Sequence, residues 1–164
     1  MVTRTVRLGI PRSASMSNAS GRPTDPPTSS RTDELAVMYS GQIVESGPTA
    51  AVLDAPLMPY TAALLQSTPS VDKPAGGRLP TIPGEPLPPE RRLTGCRFAS
   101  RCRYAIERCL TAEPPLATTA GGRSHRCHLP LDGPAASEAL AANLARGHTA
   151  AGLPVAETDV ARGA

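Results

Sequence analysis

Apolar and polar positions alternate with a strand period over one stretch of the chain, LAVMYSGQIVESG. It predicts two short strands, Leu35 to Tyr39 and Gln42 to Glu45, around a Ser40-Gly41 turn. Helical spacing follows in short pieces. Thr49 is placed as the N-cap of a helix running through Asp54 and stopped by Pro56. In PYTAALLQSTP, Pro59 suits a first helical turn, Tyr60, Ala63 and Leu64 share one face, and Pro69 ends the element. A further helical stretch is predicted around Arg103 to Leu110. None of these pieces is long enough to stand alone in water. An isolated hairpin is marginal, and helices below roughly 12 to 15 residues need tertiary support.

The remaining segments show neither period. Residues 1–31 are rich in Ser, Thr, Pro and Arg and read as a disordered N-terminal segment. GRLPTIPGEPLPPERRLTG, from Gly77 to Gly95, is extended and broken by Pro80, Pro83, Pro86, Pro88 and Pro89. Residues 131–164 are Ala-rich without a strong apolar stripe and read as a disordered or weakly helical tail. Composition supports this division: 19 Pro and 14 Gly, no Trp and a single Phe leave little apolar area to offset the entropy of ordering 164 residues. The fold class expected is α+β, small and irregular, with a β-hairpin, short helices, a Pro-rich and Cys-stapled loop region, and disordered termini.

Charge adds a local feature. The chain carries a formal +3, but eight Arg face two Glu between Arg91 and Cys127. A basic surface of that kind can bind phosphate or acidic lipid, and it can equally favour thiolates or solubilise a small fold; the second use is preferred here and no nucleic acid is expected. No run approaches the roughly 18 apolar residues of a membrane span. The start has early Arg but no apolar core of a secretory signal, which predicts a reducing compartment where persistent disulfides are uncommon.

The chemistry-bearing residues are four cysteines. Five residues separate Cys96 from Cys102, six separate Cys102 from Cys109, and seventeen separate Cys109 from Cys127. Structural zinc usually takes its thiolates in close C-x2-4-C pairs, which these gaps fit poorly. Four Cys also suit an iron–sulfur cluster, whose metal corners can be reached from separate turns. A mixed site using His125 or His128, disulfides, and free thiols all remain open on the spacing alone. For the histidines the simpler reading, polar neighbours of a structural cysteine, is preferred.

No G-x-x-x-x-G-K-[ST] loop, HExxH, GxGxxG or Ser/His/Asp set occurs in the chain. The order of its segments is nevertheless distinctive: DELAVMYSGQIVESGPTAAVLDAP, PYTAALLQSTP, RLPTIPGEPLPP, GCRFASRCRYAIERC and HRCHLP. This order closely resembles the C-terminal part of the ATP-binding subunit of bacterial oligopeptide/dipeptide and nickel-type ABC importers, from about Asp33 to Pro130. The resemblance implies that residues 32–55 are the terminal hairpin and short helix of a nucleotide-binding domain. Residues 56–130 would then be the transporter's C-terminal extension with a four-Cys lobe. MPYTAALL resembles the family's His-Pro-Tyr-Thr motif, with Met58 in place of the His and Pro59, Tyr60 and Thr61 retained.

For Cys96, Cys102, Cys109 and Cys127 the resemblance implies a metal site, a structural [4Fe–4S] cluster ahead of zinc. ATP would belong to the intact parent subunit only, since the phosphate loop, signature loop, Mg2+-binding acid and switch histidine of the family precede the hairpin and are not found here. The expectation is a fragment, a truncated product or a piece with a misassigned start, with no ATPase activity of its own. It would be structural or regulatory, partnered by a nucleotide-binding domain and permease subunits at the cytoplasmic face of the inner membrane. The alternatives are a free-standing small metal-binding interaction module and a non-functional remnant. The hairpin weighs against the module, because Val37, Met38, Ile43 and Val44 would need a sheet to join.

Overall fold

Two residues in the left-handed region make the first tight turn among the described residues. Ser40 and Gly41 have φ of 46° and 79°, the pairing that matches the twist of a tight hairpin. On either side run β1 (Glu34–Tyr39) and β2 (Gln42–Pro48), antiparallel, with the register shifting between Val37 and Met38. The computed structural model describes residues 32–68, 81–86 and 94–156. The N-terminal segment 1–31 and most of the Pro-rich stretch lie outside the described residues. β2 extends past the predicted Glu45 because residues 46–48 keep pairing with 34–36. Val37, Tyr39 and Val44 are buried, whereas Met38 and Ile43, paired across the strands, stay exposed.

The hairpin does not stand alone. Its partner comes from the far side of the cysteine segment: β3 (Ala117–Thr118) and β4 (Ser124–His125) complete a four-stranded antiparallel sheet in the order β1-β2-β4-β3. Glu45 lies opposite His125, and the Arg126 N–H donates to the Val44 carbonyl at 2.8 Å, carrying the ladder one step further. This added ladder meets the need for support that an isolated hairpin has.

α1 (Thr49–Asp54) follows β2 directly. Thr49 is its first residue rather than its cap; its N–H donates to the Asp33 carbonyl at 3.1 Å, which ties the helix start to the start of β1. α2 (Pro59–Gln66) begins on proline as predicted, where the missing N–H costs nothing. Three of the four aromatic residues meet beneath these elements. Tyr39 and Tyr60 have ring centroids 4.6 Å apart, and Phe98 stands 5.3 Å from both. Tilted and edge-on contacts of this kind concentrate packing in a chain with few large side chains. One apolar cluster therefore joins hairpin, α1, α2 and cysteine segment.

After a 3-10 turn at Ala99–Arg101, α3 occupies Glu107–Thr111, shorter than the predicted Arg103–Leu110. The carbonyls that would start the helix are engaged elsewhere. The Arg103 and Ala105 carbonyls accept from Asn143 Nδ2 at 2.8 and 3.2 Å, and Ala105 accepts also from the Ala150 N–H. Those carbonyls serve the C-terminal part of the molecule.

That part differs from the tail expected over residues 131–164. Pro134–Arg146 is a regular helix, α4, ended by Gly147 at φ 76°. Its buried residues are Ala136, Ala139 and Asn143, a small and partly polar stripe that gives a weak apolar signal in the sequence while allowing close approach. Beyond it, Thr149 and Val155 are buried in a closing turn in which Val155 N–H donates to Gly147 carbonyl at 3.0 Å. The last residues, 157–164, lie outside the described ones.

Candidate metal centre

Gly95 sets the geometry of the cysteine segment. A Cβ at this position would meet the Cys109 and Leu110 carbonyl oxygens at 2.3 and 2.5 Å, so only glycine permits the approach. The next residue then hydrogen-bonds across: the Cys96 N–H donates to the Cys109 carbonyl at 2.7 Å. Tight turns follow, with Ala99 N–H donating to Cys96 carbonyl at 3.0 Å and Ala105 N–H to Cys102 carbonyl at 3.1 Å. Cys109 sits in α3, and Cys127 two residues beyond β4.

These turns bring the four cysteines to one cavity. Its wall is made by Cys96, Cys102, Cys109 and Cys127 with Met58, Pro59, Phe98, Ala99, Tyr104, His128 and Leu129. All four are free thiols, three of them buried and Cys127 half-buried. No carboxylate lines the cavity. Among the described residues no three of Cys, His, Asp and Glu converge closely enough to hold a single metal ion.

Burial sets the protonation state of the sulfurs. It pushes the Cys96 thiol up to about 11 and Cys127 up to about 12, and it raises Cys102 and Cys109 as well. Backbone hydrogen bonds work against this: Phe98 and Ala99 on Cys96, Tyr104 on Cys102, Ile106 on Cys109, Leu129 on Cys127. The last is a direct Leu129 N–H to Cys127 Sγ contact of 3.4 Å. Amides directed at sulfur stabilise a thiolate, and the mutual repulsion of several thiolates opposes it. The sulfurs are thus neutral at pH 7 unless a bound cation supplies the deprotonation energy.

The two histidines part company. His128 lines the cavity and its Nε2 donates to the Ala112 carbonyl at 2.9 Å, leaving Nδ1 as the ring's acceptor. His125 is buried on β4 away from the cavity wall, and its Nδ1 has no hydrogen-bond partner among the described residues.

Arginines of the basic segment close the structure on backbone carbonyls. Arg97 donates to Ser40 at 2.6 Å, Arg101 to Pro83 and Ile82 at 2.8 and 3.0 Å, and Arg126 to Pro114 at 3.4 Å. Arg123 donates to the Ala55 carbonyl and to Glu45.

Sequence reasoning missed the most buried charged residue among the described ones. The Glu45 carboxylate is fully buried; it accepts from the Leu57 and Met58 N–H groups at 2.8 and 3.0 Å and from Arg123 Nη2 at 2.9 Å. Alternation with Val44 suggests a solvent-facing side chain, and only β4 and the turn before α2 enclose it. Gly95 was equally silent, since a glycine before a cysteine carries no signal of what crosses it.

Residues 44–109 match the family model of the oligopeptide/dipeptide transporter C-terminal region. The resemblance read from the order of motifs is borne out by relatives as well. The chain is 44% identical over 101 residues to the dipeptide transport ATP-binding protein DppD of Escherichia coli K12, covering 60% of this chain and 30% of that protein. It is 48% identical over 95 residues to a provisionally named peptide import ATP-binding protein of Brucella abortus, covering 58% and 28%. The chain thus spans less than a third of the length of these curated relatives.

Proposed function

We propose that this chain acts as the C-terminal lobe of a peptide importer's ATP-binding subunit, structural or regulatory in role and without ATP hydrolysis of its own. The observation that carries the reading is the union of hairpin and cysteine lobe in one core, over the stretch matched to the transporter region. No phosphate loop occurs in the sequence given, and nucleotide chemistry would belong to a nucleotide-binding domain. That domain and the permease subunits are the partners proposed, at the cytoplasmic face of the membrane; among the described residues no helix is long and apolar enough to cross it.

Cys96, Cys102, Cys109 and Cys127 are the residues we assign to a metal group. The donor set fits a [4Fe–4S] cluster in chemistry: four thiols on one cavity, backbone hydrogen bonds to the sulfurs and no competing carboxylate. Sequence gaps of five, six and seventeen residues fit the close thiolate pairs of structural zinc poorly. Such a cluster supplies a cross-link among four thiolates, a staple for a small core. The cavity is closed down to about 10 Å³, so loading requires the side chains around it to move outward.

Anaerobic purification with iron, sulfide and zinc analysis tests the assignment. A brown protein with about four iron and four sulfide per chain is expected; a colourless, zinc-loaded or metal-free protein overturns it. ATP turnover by the purified chain is expected to be absent, and robust activity would refute the division of labour. One observation favours the second reading, a free-standing metal-binding module: the hairpin finds β4 within its own chain. Amide dispersion of a stable monomer that binds no nucleotide-binding domain would select the module.

A further inference from the structure

The wall of the four-thiol cavity comes from two parts of the chain. Phe98, Ala99 and Tyr104 lie between cysteines and His128 and Leu129 directly follow Cys127, whereas Met58 and Pro59 arrive from the start of α2. Met58 is only 2% exposed and packs in the same apolar cluster as Cys96, Cys102 and Cys109. It precedes a proline and has no capping side chain of its own. What fixes it is remote in sequence: the buried Glu45 carboxylate takes both the Leu57 and Met58 N–H groups, and Arg123 neutralises that carboxylate. The segment that completes the cavity is therefore anchored to the hairpin through Glu45, with the Leu131 N–H donating to the Leu57 carbonyl at 3.0 Å from the far side.

We propose that Met58, held in place by Glu45, closes the four-thiol cavity and sets how readily reagents, water and oxygen reach the sulfurs. The closure itself is a property of the chain. Its consequence for a bound cluster rests on the metal assignment above. Met58 is a gatekeeping residue and Glu45 a positioning residue acting through it.

The test is thiol labelling of the metal-free full chain with N-ethylmaleimide under native conditions, with global stability measured on the same variants by urea unfolding. Met58→Ala is expected to label about tenfold faster than the unaltered protein, and Met58→Leu, which keeps the bulk, within about twofold. Glu45→Gln is expected to label faster too, and adding Met58→Ala to it should bring little further gain, as for two changes acting on one opening. Should the Ala variant not fold, Met58→Val against Met58→Leu makes the same comparison. Labelling at the unaltered rate in the trimmed variants, or acceleration that merely follows the loss of global stability, overturns the proposal.

A second arm follows visible absorbance of the anaerobically loaded protein in air. Faster bleaching in Met58→Ala than in Met58→Leu extends the gate to the cluster, and equal bleaching refutes that extension. If the unaltered chain takes up no iron, the metal assignment fails, while the labelling result still decides the role of Met58.

Discussion

The hairpin and α4 are attached to the cysteine segment by opposite means. The hairpin is joined by aromatic packing, a β-ladder and a buried ion: Tyr39 against Phe98, β2 on β4, and Glu45 with Arg123. α4 is joined by small residues and one amide, with Ala136 and Ala139 under Leu129 and Asn143 reaching the Arg103 and Ala105 carbonyls. The first junction brings together side chains with large interaction energies; the second brings backbone close to backbone and completes its hydrogen bonds. In a chain so poor in large apolar groups, buried polar atoms decide where elements dock, because leaving one unpaired costs more than a typical contact contributes.

The comparison breaks most severely at Glu45. Glu45→Ala removes the partner of Arg123 and leaves the Leu57 and Met58 N–H groups unsatisfied. Breaking a buried ion pair from one side costs about 3 to 5 kcal/mol, a large share of the stability of any small domain. Urea unfolding is expected to show that loss, with hydrogen exchange rising first around residues 55–60. If stability falls by less than about 1 kcal/mol, the carboxylate is not the anchor described.

Gly95→Ala acts on the cysteine loop itself. Its Cβ would lie 2.3 Å from the Cys109 carbonyl oxygen, a backbone atom with no flexible end to yield. The expected cost is about 1 to 3 kcal/mol, with the Cys96 N–H to Cys109 bond lost and metal uptake reduced. Unchanged stability and unchanged metal content would show that the two segments separate freely.

Asn143→Ala tests the other junction. It removes the Asn143 donor from the half-buried Arg103 carbonyl and leaves the buried Ala105 carbonyl with the Ala150 N–H alone, costing about 1 to 3 kcal/mol. Here the location of the effect is more informative than its size. Exchange protection should drop across residues 134–155 while β1 and β2 keep theirs, because α4 shares no ladder with the hairpin. Uniform loss over the whole chain would mean that the two junctions fold as one unit.

What could be read in advance follows the same division. The hairpin, its Ser40-Gly41 turn and the Pro59 start of α2 were legible because alternation and proline act locally. The cysteines stood out by their chemistry, and the structure places all four on one cavity. Glu45 was not legible, since its burial depends on β4 and on Arg123, 78 residues away. α4 was read as a disordered or weakly helical tail because Ala and Asn stripes lack amphipathic contrast, although Pro134 and Gly147 bracket it with ordinary start and stop signals. The chain length between partners, more than the composition, separates what was visible from what was not.

The smallest effect is expected at that stop signal. Gly147 ends α4 with φ 76°, and its N–H donates to Leu144 carbonyl at 3.1 Å while its carbonyl accepts from Val155. A Cβ there would touch nothing within 4 Å, so the cost of Gly147→Ala is conformational alone. Placing an L-residue in the left-handed region costs about 1 to 2 kcal/mol. Because this falls on the weaker junction, it should appear as faster exchange in α4 and the closing turn, with little change in the midpoint of hairpin unfolding. Gly147→Asn, which tolerates the same backbone region better, should recover part of the protection. Equal loss in Ala and Asn would place the sensitivity in the turn that follows and not in the backbone angle.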